Sequence, residues 1–231
     1  MTPGQDSKTL NTLPPPFDLL PALLPGVLVT FQVTVGGAVI ATLAAFAAGL
    51  ARLSKIAVIR IAALIYIDLF RGTSALVQLF WAYFALPMLG IKISAMTTGI
   101  LVLGLNVGAY GAEVVRSTLQ AVPKAQWEAA KALNFTKGYT LWRIVLPQAL
   151  PAMLPPFGNL LIELLKGTAL VSMITLTDLT FSAQMLRAET LRSGEIFALV
   201  LLLYFLLAVC ITWFIRRLEK RFGGVRRSEV E

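Results

Sequence analysis

Five stretches of this chain stay apolar long enough to matter more than anything else in it: about Leu23 to Leu50, Ile61 to Met88, Ser94 to Val115, Leu150 to Leu176 and Ile196 to Ile215. Amphipathic helices and half-buried strands interrupt such runs every two or three residues, so blocks of this length mark a bilayer as the solvent. Each can cross a hydrocarbon core of about 30 Å at about 1.5 Å per helical residue. Composition agrees, since only 14% of the 231 residues are charged and 57% are hydrophobic, against about a quarter charged in soluble domains. The expected fold is all-α, a multi-pass transmembrane helical bundle of about five spans. It divides into a tail at 1–18, a transmembrane domain at 19–218 with a long loop at 116–147, and a basic tail at 219–231. The triple proline Pro14 to Pro16 makes the first tail stiff and non-helical. Its balanced Lys8 and Asp6, with an over-long apolar run behind them, read as an uncleaved segment rather than a secretory signal.

Several chemistries are excluded at once. The chain has no histidine and one cysteine, so imidazole-based catalysis, histidine metal sites, proton relays through histidine and internal disulfides are all unavailable. Cys210 lies in an apolar run and reads as a small core or lipid-facing residue. The net charge of +8 raises nucleic acid as a partner, but the placement of the basic residues argues otherwise. Arg52, Lys55 and Arg60 lie between blocks one and two. Arg116, Lys124, Lys131, Lys137 and Arg143 lie between three and four, and Arg216, Arg217, Lys220, Arg221, Arg226 and Arg227 follow block five. The opposite set holds only Lys8, Lys92, Arg187 and Arg192, fourteen against four. By the positive-inside rule this sets the N-terminus outside and the C-terminus inside. The basic excess is topological, and no nucleic-acid partner is expected.

The loop between blocks three and four is too long for a simple turn. Pro123 followed by the alanine-rich run Trp127 to Leu133 predicts a short helix. Asn134 would close it, and Thr136 to Ile144 would form a second piece stopped before Pro147. A pair of short surface helices fits a docking element and a passive interfacial hairpin equally well.

At these residues the chain resembles a known family. Glu128-Ala129-Ala130, Asn134, Ile144, Leu146 and Pro147 fit the spacing of the "EAA" loop of bacterial ABC importer permeases, with Asn134 where glycine is usual. Asn is the residue best suited to replace Gly at a left-handed helix end, so the turn is expected to survive. Phe70-Arg71-Gly72-Thr73 with Leu76 to Phe80 is similar to the FRGTP-x-LVQLF segment of the polar amino acid branch, with Ser74 in place of Pro. Gly108 to Arg116, Leu146 to Ala149 and Lys166 to Leu170 are similar to further segments of that branch. The stretch Leu160 to Ser182 resembles the ectoine and hydroxyectoine permeases within it.

The resemblance implies one part of an ATP-driven importer in the bacterial inner membrane, carrying a small polar or zwitterionic solute such as ectoine, hydroxyectoine or a polar amino acid. It implies as partners two ABC ATPase subunits, a second permease subunit (same chain or sibling) and an extracytoplasmic solute-binding protein. No Walker sequence is present, so hydrolysis by that route belongs to the ATPase, as do ATP and Mg, and this chain is a non-enzymatic subunit without a cofactor. Glu128 would then anchor the coupling loop to the ATPase, with Ala129, Ala130 and Asn134 setting its shape.

Three acid–base pairs share the spacing i, i+3: Asp68/Arg71, Glu113/Arg116 and Glu163/Lys166. That spacing puts both groups on one helix face, where pairing lowers the cost of carrying charge into lipid. Glu113/Arg116 reads as a structural anchor at the end of its span. Asp68/Arg71 precedes a break at Gly72, where Arg71 is expected to cap freed carbonyls or hold a neighbouring span. Glu163 and Lys166, with Asn159 on the same face, are candidates for the substrate pathway, or simply neutralise each other. The glycines of block three are expected to serve close packing. Two readings from other classes stay open at this point: a secondary transporter driven by an ion gradient, and an intramembrane enzyme using Asp68, Glu163 or Asp178.

Overall fold

A computed structural model describes residues 14–223. The expected tail at 1–18 lies outside the described residues up to position 13, and the basic tail beyond position 223. After a single 3-10 turn at Phe17–Leu19, the chain forms α1 (Leu20–Ala51), α2 (Ala57–Gly72), α3 (Ala75–Phe80), α4 (Ala95–Ala121), α5 (Lys124–Ala132), α6 (Lys137–Tyr139), α7 (Leu146–Gly167), α8 (Leu179–Thr190) and α9 (Ser193–Gly223). Four rods are long and apolar enough to cross a bilayer: Phe17–Ala51, Ala95–Ala121, Lys137–Ile174 and Ser193–Arg221.

The centre is the α1–α4 pair, and glycine and alanine make it close. A Cβ on Gly104 would stand 2.7 Å from the Ile40 Cβ, one on Gly108 2.8 Å from the Ala44 Cβ, and one on Gly111 2.8 Å from the Ala45 Cβ. Gly49 repeats the contact from the other helix, against Val115. In lipid, where tails are as apolar as leucine, backbone proximity of this kind is what holds helices together. α7 packs on this pair and carries α9 on its outer side, with Ile215 lying against Gly158.

The second block breaks at Gly72, the place expected from the sequence. α2 ends at Gly72, Thr73 and Ser74 are extended, and α3 leaves at 106° to α2, running on through a π-helical stretch, Trp81–Ala85, and a 3-10 turn, Leu86–Leu89. The fourth block is longer than expected. α6, a π-helical Thr140–Val145, α7 and a 3-10 Thr168–Ile174 form one rod from Lys137 to Ile174. The helix therefore does not stop before Pro147. The wide π turn just ahead absorbs the missing N–H of Pro147 and the crowding of its ring against the Arg143 carbonyl.

Candidate functional site

The 116–147 loop is a helical hairpin seated on the end of the bundle. Pro123 opens α5, and Trp127 and Leu141 pack with Val115, Leu119, Val145 and Ala149 of the core beneath. α5 ends in a Schellman motif: the Phe135 N–H donates to the Ala130 carbonyl at 3.0 Å, the Asn134 N–H to the Lys131 carbonyl at 3.0 Å, and Asn134 takes φ 57°. That left-handed position explains why the residue here is Asn when it is not Gly. Thr136 starts the next helix by accepting from the Tyr139 N–H at 3.3 Å. Glu128 and Ala129 face outward, whereas Ala130 is buried against the bundle. Of the two alanines expected to set the loop's shape, Ala129 is therefore at the surface, with Ala125 exposed one turn before it, and Ala130 is not. Ile144 and Leu146 are half-buried, and Leu146 packs into the supporting cluster; Pro147 is exposed. Sequence reasoning missed the apolar patch around this turn: Leu133 is 67% and Trp142 59% exposed, beside a Phe135–Tyr139 ring pair.

Of the three i, i+3 pairs, Glu113/Arg116 alone is an ion pair among the described residues, at 2.8 Å, with Arg52 of α1 4.0 Å from the same carboxylate. Glu163 and Lys166 do not pair. Both are exposed on α7, and with Asn159 and Ile162 they line an open pocket of about 550 Å³. Pro155, Asn159, Glu163 and Lys166 thus form a stripe on the face that α7 turns away from its own bundle.

Asp68 and Arg71 are both exposed and do not pair. Arg71 does not cap the break after Gly72 either. Its guanidinium stands over the Tyr110 ring at 5.2 Å. The freed carbonyls are taken by neutral side chains that sequence reasoning passed over. The Phe70 carbonyl accepts from Gln78 Nε2 at 3.0 Å and Asn106 Nδ2 at 2.9 Å, and the Leu69 carbonyl from the Thr73 hydroxyl at 2.7 Å. Asn106 also donates to Gln78 Oε1 at 3.1 Å. An irregular backbone inside a membrane domain requires such partners. The available signal was Gln78 and Asn106 standing alone in apolar blocks.

At the opposite end of the bundle, Arg192 bridges Asp18, at 2.7 Å, and Glu195, tying the entry of α1 to the start of α9. Asp178, weighed above as an enzymatic acid, is buried and caps α8, accepting from the Thr180 N–H at 3.1 Å and the Phe181 N–H at 3.0 Å. Burial pushes its carboxyl above the ordinary range, against the pull of those two donors. Its role is that of a helix cap.

A helical bundle with rods long enough to cross a bilayer, broken helices and a helical hairpin at one end has the architecture of a transporter's membrane subunit. Residues 40–224 match the family described as "Binding-protein-dependent transport system inner membrane component", and the chain belongs to it. It is 46% identical over 91% of its length to the probable amino-acid ABC transporter permease protein y4tF of Sinorhizobium fredii, covering 92% of that protein. It is 35% identical over 87% of its length to the glutamine transport system permease protein GlnP of Escherichia coli strain K12, covering 93%. Among solved structures, a crystal structure of an amino acid ABC transporter with histidines superposes with a TM-score of 0.80, at 34% identity over 87% of this chain and 94% of that one. The protein is therefore a multi-pass inner-membrane permease subunit that does no catalysis itself. The ion-gradient and enzyme readings fall with the family assignment.

Proposed function

We propose that this chain forms half of the translocation pathway of an ATP-driven amino-acid importer, with its N-terminus outside and C-terminus inside. The α7 stripe carries the proposal. A carboxylate, an ammonium and an amide exposed along a membrane-spanning helix are too costly to face lipid, so they belong to a water-filled interior or a second permease subunit. Asn159, Glu163 and Lys166 then line the route, and their charges are complementary to a zwitterion's own ammonium and carboxylate. The naming of three relatives for amino acids, glutamine and histidines favours an α-amino acid. Ectoine and hydroxyectoine have the same pairing of charges and are the finer alternative that the Leu160 to Ser182 resemblance supports.

The partners are two ABC ATPases, a second permease subunit and an extracytoplasmic binding protein. The ATPase would meet α5 and the exposed patch of Leu133, Phe135, Tyr139 and Trp142, since an apolar knob on a cytoplasmic surface marks a protein contact. Glu128 would anchor it there, with Ala129 and Asn134 shaping the surface. This chain would hold no cofactor, ATP and Mg residing on the ATPase.

Uptake of labelled glutamine, histidine and ectoine into proteoliposomes that hold the chain with its cognate subunits tests the reading. ATP-dependent uptake of an amino acid, suppressed by unlabelled amino acids and indifferent to ectoine, is the expected result. Uptake competed by ectoine alone would move the substrate and keep the class. Uptake abolished by an ionophore and indifferent to ATP would overturn the ATP-driven reading.

A further inference from the structure

We infer that the outer face of this subunit holds an anionic phospholipid in a built groove. The starts of α1 and α9 are joined through α8, whose Leu179 and Ala183 share one buried cluster with Leu23 of α1 and with Ile196 and Leu199 of α9. Further along, a groove of about 790 Å³ opens between α1 and α9 with α7 as its floor. Its lining runs from Phe31 to Phe46 on α1, from Leu150 to Leu161 on α7 and from Cys210 to Leu218 on α9. At about 1.5 Å per residue these stretches are roughly 12–22 Å long, comparable with one leaflet of a hydrocarbon core of about 30 Å. The threonine hydroxyls of the walls are turned back into their own helix. Thr34 donates to the Thr30 carbonyl and Thr42 to the Ala38 carbonyl, each at 2.8 Å. Apart from the Cys210 thiol, the groove therefore offers hydrocarbon.

Two further observations choose the occupant. The first is the geometry of α7. At about 100° per residue, Asn159 and Lys166 lie roughly 160–180° around the helix from Phe157 in the groove floor. A second permease subunit that covers the polar stripe leaves the groove on the opposite side, toward the bilayer. The second is charge. Cys210 and Phe214 of the groove wall are continued at i+7 and i+11 by Arg217 and Arg221, the same face of the same helix. Both arginines are exposed, neither has an acidic partner among the described residues, and Arg217 lies 4.0 Å over the Trp213 ring. Acyl chains fill the groove, and the headgroup phosphate meets the two guanidiniums, whose planar forks can each donate two hydrogen bonds to its oxygens. With the C-terminus inside, as proposed above, this site opens to the cytoplasmic leaflet, where anionic lipids are enriched.

Native mass spectrometry of the purified transporter complex, titrated with phosphatidylglycerol and with phosphatidylcholine, reads the site directly. The expected result is retention of phosphatidylglycerol at roughly tenfold lower lipid concentration than phosphatidylcholine. Replacing both arginines (R217Q with R221Q) should erase that preference, and R217K with R221K should keep part of it. Val39→Trp, which fills the groove from its exposed α1 wall, should reduce retention of both lipids. Equal retention of the two lipids by the native complex would overturn the proposal, and this arm needs no variant to fold. Preference unchanged in the double glutamine variant would also overturn it. So would an oxidative Cys210–Cys210 cross-link between copies in native membranes, because a second subunit would then occupy the groove.

Discussion

Glu113/Arg116 and Glu163/Lys166 are close to the same sentence written twice: a glutamate with a cation three residues on, inside a membrane-spanning rod. The first closes at 2.8 Å, draws Arg52 toward the same carboxylate, and is about one-quarter exposed. The second stays open, with both side chains exposed in a shared pocket. Spacing i, i+3 makes a pair possible on either helix. What differs is the neighbourhood. Glu113 lies where the end of α1 brings a second arginine in and a glutamine at 120 takes the other Arg116 donor at 2.9 Å. Glu163 lies on a face of α7 where it makes no ion pair or hydrogen bond among the described residues. On the proposed reading, the satisfied pair serves the scaffold, and the open one faces the water-filled interior or a second permease subunit.

Breaking the open pair should have the largest effect. Glu163→Gln removes a charge-assisted contact worth about 1.5–3 kcal/mol, so ATP-dependent uptake should fall roughly tenfold to a hundredfold while the ATPase still copurifies. The charge exchange E163K with K166E sharpens the comparison further. If each group serves the pathway, the exchange stays as poor as the single variant. If uptake recovers, the two residues act only on each other, and the pathway assignment fails.

Next in size is the turn that ends α5. Asn134 sits at φ 57°, where a left-handed conformation costs an ordinary L-residue about 1–2 kcal/mol and a glycine nothing. Asn134→Val should therefore lower the melting temperature and weaken copurification of the ATPase, since the geometry it disturbs is that of the hairpin. Asn134→Gly should leave both unchanged or slightly improved. Equal behaviour of the two variants would mean the turn is not what fixes the hairpin.

The apolar blocks, the glycine seam of α4 and the left-handed Asn134 were all legible in the sequence because each rests on local chemistry that tertiary structure cannot easily override. Gly104, Gly108 and Gly111 fall at spacings that keep them on one face, and only a close neighbour explains them. The break in the second block was half legible. Gly72 marks its place, and of the two roles expected of Arg71 the capping goes instead to Gln78 and Asn106, the latter 36 residues from its acceptor, while the guanidinium stands over Tyr110 of the neighbouring α4. Contacts of that sequence separation leave no spacing rule to read. The rod through Pro147 was misjudged for the opposite reason. A local rule was applied where a π turn, invisible in composition, removes the conflict. The orientation of Glu163 and Lys166 needed the fold itself, because a helical wheel places two residues on one face without saying what that face meets.

The closed pair supplies the smallest effect and the sharpest control. Glu113→Gln leaves Arg116 with Gln120 as partner and Arg52 without its carboxylate, in a site open enough for water to screen part of the loss. The expected cost is about 0.5–1 kcal/mol of stability, seen as a small fall in melting temperature, with uptake per folded transporter unchanged. The same substitution at Glu163 should do the reverse, sparing stability and removing transport. Side by side, the two Glu→Gln variants ask whether identical spacing was put to two different uses. A matching profile, with transport lost or kept in both, would show that the difference in pairing seen here carries no functional meaning.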